Sequence, residues 1–226
     1  MSYMWENFNI KQVCAETIVY RDGEYCPKLS TIKNGPINKN YSLPVHIIYV
    51  GEISDKNTLN IDINVPDQRV YLSVNIKNKI PAFLNIFIKN TGKNSVIYGH
   101  ILLDNYNDLK YDCTAHHMSA NTGIFLQNKL IANTGTISKL SGTTIIDKNC
   151  ENCNSDMNFT SIAAADAKIE FLPAQRILSV PENAGHGASI YTPKSIQIQY
   201  LRQVGLSGNE ITDIMREAFI NDFSLF

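Results

Sequence analysis

The chain has 226 residues, of which 44% are hydrophobic and 18% are charged. This length suits one globular domain that buries its own core, so neither disulfides nor structural metals are needed for folding. The net charge of -1 provides no basic field, and the composition therefore does not support binding to the phosphates of nucleic acid.

The N-terminal residues show no basic region followed by an apolar run, which predicts no secretory signal. No stretch approaches the roughly 18 apolar residues that a membrane span needs. The five cysteines are widely spread and odd in number, which is not the pattern of a secreted disulfide framework. We therefore expect a cytoplasmic protein without membrane spans.

Alternating apolar residues predict a β-rich body. Residues 1–40 contain turn pairs but no sustained period, and we predict an irregular, strand-poor segment there. In residues 41–190 apolar and polar residues alternate, as at Leu59, Ile61 and Ile63, and turn signals recur roughly every ten to fifteen residues. Alternation buries one face of each strand. Sandwich, barrel and β-helix all fit this pattern.

Residues 191–226 are predicted to form a helical segment. Thr192 has the character of an N-cap, and Gly205 suits the left-handed position that follows the last turn of a helix. Ser207 and Glu210 form a capping box, in which each side chain binds the other residue's free backbone N–H group. The sequence therefore predicts two short helices after the strands.

The sharpest signal for a metal is the CxxC pair Cys150 and Cys153, since two thiolates at this spacing can reach one ion from a tight turn. Cys113 together with His116 or His117 would complete a ligand set in the folded chain. Three interpretations stay open for these cysteines: a structural role, a metal or cluster site, and a redox dithiol. Zinc at such a site would make the chain a zinc-stabilised β protein.

His186 is the most distinctive histidine because glycines flank it, in a segment that we expect to be the sheet-to-helix junction, Gly185–Ser189. Asp104, Asp108 and Asp112 resemble no ion-binding loop, so a carbohydrate-acting β-helix enzyme has little support. The sequence also lacks a G-x-S-x-G elbow, a P-loop and a dinucleotide glycine fingerprint. A chain without its own nucleotide site fits a scaffold or partner subunit, and we predict that it is not an enzyme.

Three blocks near the C-terminus carry a resemblance to a known family. They read Pro173-Ala-Gln-Arg-Ile177, Gly185-His-Gly-Ala-Ser189 and Tyr200-Leu-Arg-Gln-Val-Gly-Leu206. In order and spacing they resemble the C-terminal signature of the SufB/SufD family of iron-sulfur cluster assembly scaffolds. In that family a P-x-L-E-I-like strand leads to an S-H-G-A-T or H-E-A-T motif and then to a helix reading F-Y-L-R-S-R-G-I.

The resemblance implies a right-handed parallel β-helix body with a short C-terminal α-helical segment. It also implies that two such bodies dimerise, as a homodimer or with a paralogue, and that a separate ABC-type ATPase docks on the helical segment. Tyr200, Arg202, Gly205 and Leu206 would then contact the ATPase. His186 would contact a transient iron-sulfur cluster.

The chain departs from both branches of the family at the site. The SufB branch has Glu directly after the histidine and a Cys before it, where this chain has Gly187 and Asn158. The SufD branch often has a Cys two positions before the histidine, where this chain has Ala184. Because clusters are bound mainly by thiolates, we predict that the sulfurs of three cysteines approach one another or the histidine: Cys113, Cys150 and Cys153.

The sequence thus predicts a scaffold or partner subunit for iron-sulfur cluster assembly or transfer that works with a separate ATPase. A zinc-stabilised structural or interaction protein is the alternative. A carbohydrate-acting β-helix enzyme has less support than either.

Overall fold

The computed structural model describes residues 16–22, 24–32 and 44–221. Strands form 60% of the structure and wind into a β-solenoid of about 6 turns, which two short C-terminal helices follow. The strands are β1 (Glu16–Arg21), β2 (Glu24–Tyr25), β3 (Val45–Ile63), β4 (Arg69–Asn90), β5 (Val96–Asn105), β6 (Leu109–His117), β7 (Gly123–Ala132), β8 (Ile137–Ile146), β9 (Asn154–Ala163), β10 (Lys168–Ile177) and β11 (Asn183–Tyr191). The helices are α1 (Ser195–Gln203) and α2 (Gly208–Asn221). The mainly β fold with a parallel solenoid body and a short helical segment is confirmed.

Neighbouring turns are joined by parallel strand pairs, in the order β10-β8-β6-β4-β5-β7-β9-β11. The long strand β4 bends around a corner, because its first part pairs with β5 and its second part pairs with β6. Strands β10 and β11 lie at the two ends of this order, and each pairs on one side only within the described residues. In the described part of the chain, no further turn covers the last one.

A ladder of amide and carboxylate side chains marks one corner of the solenoid. Asn94 donates to Asp67 at 3.0 Å, Asn121 to Asn94 at 3.1 Å and Asn152 to Asn121 at 3.2 Å. All four residues have φ between 56° and 60°, a left-handed conformation that Asn and Asp tolerate better than other non-glycine residues. Their spacings of 27, 27 and 31 residues are the lengths of successive turns, and this variation hides the repeat in the sequence.

The interior of the solenoid is filled by the alternating apolar residues that the sequence indicates. Leu59, Ile61 and Ile63 are all buried in the same cluster. Gly142 shows how closely the interior is packed, because a Cβ atom there would lie 2.5 Å from the ring of Phe159. The core therefore has no open channel at this level of the stack.

Strand β1 lies within residues 1–40, where the sequence predicts an irregular, strand-poor segment. It pairs in parallel with β3 and places Ile18 beside Ile47 in the interior. Val19 points to the other face of the strand and packs in an outer cluster. A single strand on the end of a solenoid needs only a short apolar run, which is why the sequence signal is weak here.

Helix α1 begins later than predicted, at Ser195 instead of just after Thr192. Strand β11 continues to Tyr191, and the N-cap is Lys194, whose backbone N–H group donates to Gln197 Oε1 at 2.9 Å. An extended segment therefore occupies the first turn of the predicted helix.

The predicted signals at the end of α1 and the start of α2 are confirmed. Gly205 has a φ of 94°, in the left-handed region. The backbone N–H group of Ser207 donates to Glu210 Oε2 at 2.8 Å, and the N–H group of Glu210 donates to Ser207 Oγ at 3.4 Å. Neither α1 nor α2 is long and apolar enough to cross a membrane, and the described residues contain no other α-helix.

Candidate functional site

His186 lies in the middle of strand β11, so the expected junction at Gly185–Ser189 is wrong. The chain leaves the sheet only after Tyr191. In register His186 lies beside Met157, an interior residue, so its imidazole is on the interior side of the strand. His186 is nevertheless exposed, because no described turn lies over β11.

Glycine lies on both sides of His186 because neighbouring side chains leave little room for a Cβ atom, and not because the chain turns there. Gly187 lies beside Asn158, and a Cβ atom at Gly187 would lie 2.6 Å from Asn158 Oδ1. Gly185 lies beside Asp156, and a Cβ atom there would lie 3.0 Å from Asp156 Oδ1. The two residues at which the chain departs from the SufB branch, Asn158 and Gly187, are thus neighbours across two strands.

The last turn of the solenoid presents an apolar end around the histidine. Ile169 and Phe171 of β10 pack against the interior cluster from this end. Ile190 of β11 is 52% exposed. Gln175 Nε2 donates to the carbonyl oxygen of Ala184 at 3.0 Å and so bridges β10 and β11. The imidazole therefore lies at an open end of a hydrophobic interior.

Cys113 is buried in the interior cluster of the solenoid. Burial raises the pKa of its thiol to about 12, although a hydrogen bond with Tyr111 lowers it in part. A thiol with such a pKa is protonated at neutral pH, and it is neither a nucleophile nor a ready ligand.

Cys150 and Cys153 pack together in a buried corner cluster with Ile146 and Ala184. Burial raises the pKa of the Cys150 thiol, and the neighbouring Cys153 raises it further. Cys153 Sγ lies 3.2 Å from the hydroxyl of Thr122. Cys153 directly follows Asn152 of the corner ladder, and Thr122 directly follows Asn121 of the same ladder. Thr122 and Cys153 are therefore equivalent positions on neighbouring turns, which fits a packing role for Cys153.

The histidines that the sequence offers as partners of the CxxC pair have other hydrogen bonds. His117 Nδ1 lies 2.8 Å from Thr122 Oγ1, and burial lowers the pKa of His117 to about 4. His116 Nε2 lies 3.0 Å from Asp147 Oδ2. Among the described residues, no three His, Cys, Asp or Glu side chains are grouped so as to hold a metal ion. Metal ligation by Cys113, Cys150 and Cys153 stays a prediction.

The three aspartates considered for carbohydrate chemistry are engaged separately. Asp104 Oδ2 pairs with Arg216 at 2.8 Å. Asp108 Oδ1 accepts from the backbone N–H group of Ile137 at 3.2 Å, and Asp112 accepts from the hydroxyl of Ser141. Each carboxylate thus stabilises its own part of the fold.

Helix α1 presents an apolar stripe to solvent. Ile196, Tyr200 and Val204 are 69%, 63% and 58% exposed, and their spacing of four places them on one face. Val204 therefore faces solvent and does not pack inward. Ile196 is not among the docking residues predicted from the sequence, although the same spacing of four is a signal for it.

The other predicted docking residues lie around the C-terminal end of α1. Arg202 and Gly205 are exposed, and Leu206 is half-buried. The backbone N–H group of Leu206 donates to the carbonyl oxygen of Leu201 at 3.2 Å, which closes the turn between the helices. Binding of a partner at Tyr200, Arg202, Gly205 and Leu206 stays a prediction.

No known family model matches this chain, and no curated protein matches it significantly. The resemblance of the three C-terminal blocks to the SufB/SufD signature therefore stays a prediction.

Proposed function

We propose that the protein is a non-enzymatic scaffold or partner subunit in iron-sulfur cluster assembly or transfer, working with a separate ABC-type ATPase. The observation that carries the proposal is the position of His186, exposed at the apolar end of the solenoid that no described turn covers, which we call the uncovered end. An imidazole at such an end can contact a cluster once a second body covers it.

The uncovered end suits dimerisation. Within the described residues, β10 and β11 each pair on one side only, so the other edge of each strand offers backbone groups to a further strand. Phe171 and Ile190 provide apolar surface at the same end. A second solenoid that joins there would remove this surface from water and enclose His186.

The chemistry of the site favours a paralogue over a second copy as the partner. Iron-sulfur clusters are bound mainly by thiolates, with histidine as an occasional replacement. Cys113, Cys150 and Cys153 are all buried, so none of them presents a thiolate at the uncovered end. A homodimer would then bring together two imidazoles without a thiolate, whereas a paralogue with a cysteine at its own end would supply one.

The helical segment is connected directly to the strand of the candidate site. Strand β11 runs into α1 through the linker 192–194, and the Tyr191 hydroxyl donates to Gln197 Oε1 at 2.8 Å. An ATPase that binds the α1 stripe would therefore act on β11. ATP-driven closure of two ATPase subunits would shift the helical segments and open the end for iron and sulfide.

The test is anaerobic purification of this chain together with a thiolate-bearing paralogue and the ATPase, followed by iron and sulfide analysis and a visible spectrum. We expect bound iron and sulfide that are lost in His186→Ala and kept in Ser189→Ala, a change on the same strand. An iron-free, colourless complex of the wild-type chain would refute the proposal. Colourless zinc whose chelation unfolds the chain would instead support the zinc-stabilised alternative.

A further inference from the structure

We infer that Asn158 and Gln175 are positioning residues for His186, which hold β11 so that the imidazole keeps one orientation at the uncovered end. The inference rests on the proposed function only for the role that it gives to His186. The geometry itself can be tested on the isolated chain.

Strand β11 needs such support. In the described structure it has a paired strand on one side only, and strands held in this way open more readily than central ones. Gly185 and Gly187 add backbone freedom on both sides of His186. A ligand has to be held within a narrow range of positions to bind metal or cluster tightly.

The outer face of β11 is held by a bracket, which we define as the side chains of Asp156 and Asn158. Asn158 Nδ2 donates to Asp156 Oδ2 at 2.9 Å, so the two side chains act as one unit. The two side chains lie close to Gly185 and Gly187. A Cβ atom added at Gly185 would lie 3.0 Å from Asp156 Oδ1, and one added at Gly187 would lie 2.6 Å from Asn158 Oδ1. The space beside the two glycines is therefore already filled, which limits rotation of the strand towards the outside.

The inner face of β11 is held by Gln175. This residue lies beside the buried Thr144 in register, so its side chain is on the interior side of β10. Its hydrogen bond to the carbonyl oxygen of Ala184 ties the two terminal strands together. The bond lies two residues before His186, and the bracket contact with Gly187 lies one residue after it.

The test is NMR of the protein with labelled histidine rings, in which the signals of His186 are assigned from His186→Gln. We expect one set of His186 signals in the wild type. Asn158→Ala and Gln175→Leu should each split or broaden that set, while the signals of the other four histidines stay in place. Thr160→Ala is the matched control, because Thr160 lies on the same face of β9 and contacts Ser189 instead of a glycine.

A second pair of variants separates positioning from stability. Gly187→Ala should destabilise the protein, because the new methyl group meets Asn158 Oδ1. Adding Asn158→Ala should restore stability but leave the His186 signals altered. Unchanged His186 signals in both Asn158→Ala and Gln175→Leu, with β11 intact, would overturn the inference. Disturbed ring signals in a chain that never binds iron would keep the inference and refute the proposed function.

Discussion

Arg216 of α2 and Asp104 of β5 form an ion pair between residues 112 apart in the sequence, with Nη2 2.8 Å from Oδ2. The Asp104 side chain is only 5% exposed, and Arg216 also donates to Asn133 Oδ1 at 2.9 Å. Beside this pair, Lys129 Nζ donates to the carbonyl oxygen of Phe219 at 2.6 Å. Charged groups therefore fix α2 to the outer face of the solenoid.

Apolar contacts hold α2 at the same place. Met215, Phe219 and Ile220 of the helix pack against a cluster on the outer face of three strands: Leu102, Ile131 and Ile162. Helix α1, in contrast, has no buried residue. We therefore expect α2 to behave as part of the body and α1 to be the more easily displaced of the two helices.

Asp104→Ala should lower the free energy of unfolding by about 2 kcal/mol. This is less than the roughly 3–5 kcal/mol lost when one partner of a fully buried pair is removed, because Arg216 is partly exposed. Urea unfolding measures the change. Lys139→Met is the control, since its pair with Glu170 is exposed and should contribute less than about 1 kcal/mol. Equal losses in the two variants would show that the buried pair is unimportant.

Acid should destabilise the fold through its buried histidines. Burial lowers the pKa of His117 to about 4, and that of His46 and His100 also to about 4. Between about pH 6.5 and pH 4 the unfolded chain binds protons that the folded chain does not. The free energy of unfolding should therefore fall as pH falls, by up to about 1.4 kcal/mol per pH unit for each histidine. Urea unfolding across this range should give a shallower slope for His117→Gln, and an unchanged slope would contradict the prediction.

The local features of the fold could be predicted from the sequence. The alternation at Leu59, Ile61 and Ile63 indicates which side of a strand faces the core. Residues close together in the sequence are enough to recognise this pattern. The capping box of Ser207 and Glu210 spans a single helical turn. Such signals are short-range, and the structure contains them where the sequence places them.

Features that depend on stacking between turns could not be predicted. The turns differ in length, so the register that places His186 beside Met157 is invisible in a list of residues. Glycines normally suggest a turn, but Gly187 is explained by the side chain of Asn158 on the next strand. The predicted junction around His186 is therefore wrong, and the contact of His186 with a cluster stays a prediction.

The corner ladder should respond to changes of Asn121 in a way that separates backbone from side chain. Asn121→Ala should cost about 1–2 kcal/mol, because alanine tolerates the left-handed conformation poorly and removes two hydrogen bonds. Asn121→Gly removes the same hydrogen bonds but accepts the conformation, so urea unfolding should show a smaller loss. A larger loss for glycine than for alanine would refute the backbone argument.

The α1 stripe should be the main contact with the ATPase. Tyr200→Ala should weaken binding by about 2 kcal/mol or more, as expected for a central aromatic anchor. Arg202→Glu reverses the charge beside Tyr200 and should also weaken binding. Isothermal titration calorimetry with the purified ATPase measures the affinity, and circular dichroism checks that the body stays folded. Ile80→Ala is the control, because Ile80 is 49% exposed on β4. If Tyr200→Ala and Ile80→Ala bind equally well, the docking surface lies elsewhere.

Thiol labelling should rank the cysteines by their position in the fold. Iodoacetamide reacts with accessible thiolates, so among the four cysteines in the described residues half-buried Cys26 should be labelled first and Cys113, with a pKa of about 12, only after unfolding. Peptide mass spectrometry after timed labelling in buffer and in urea measures both rates. Rapid native labelling of Cys113 would contradict its interior position. Slow labelling would also argue against Cys113 as a cluster ligand, because a thiol that does not leave the core cannot reach iron beside His186.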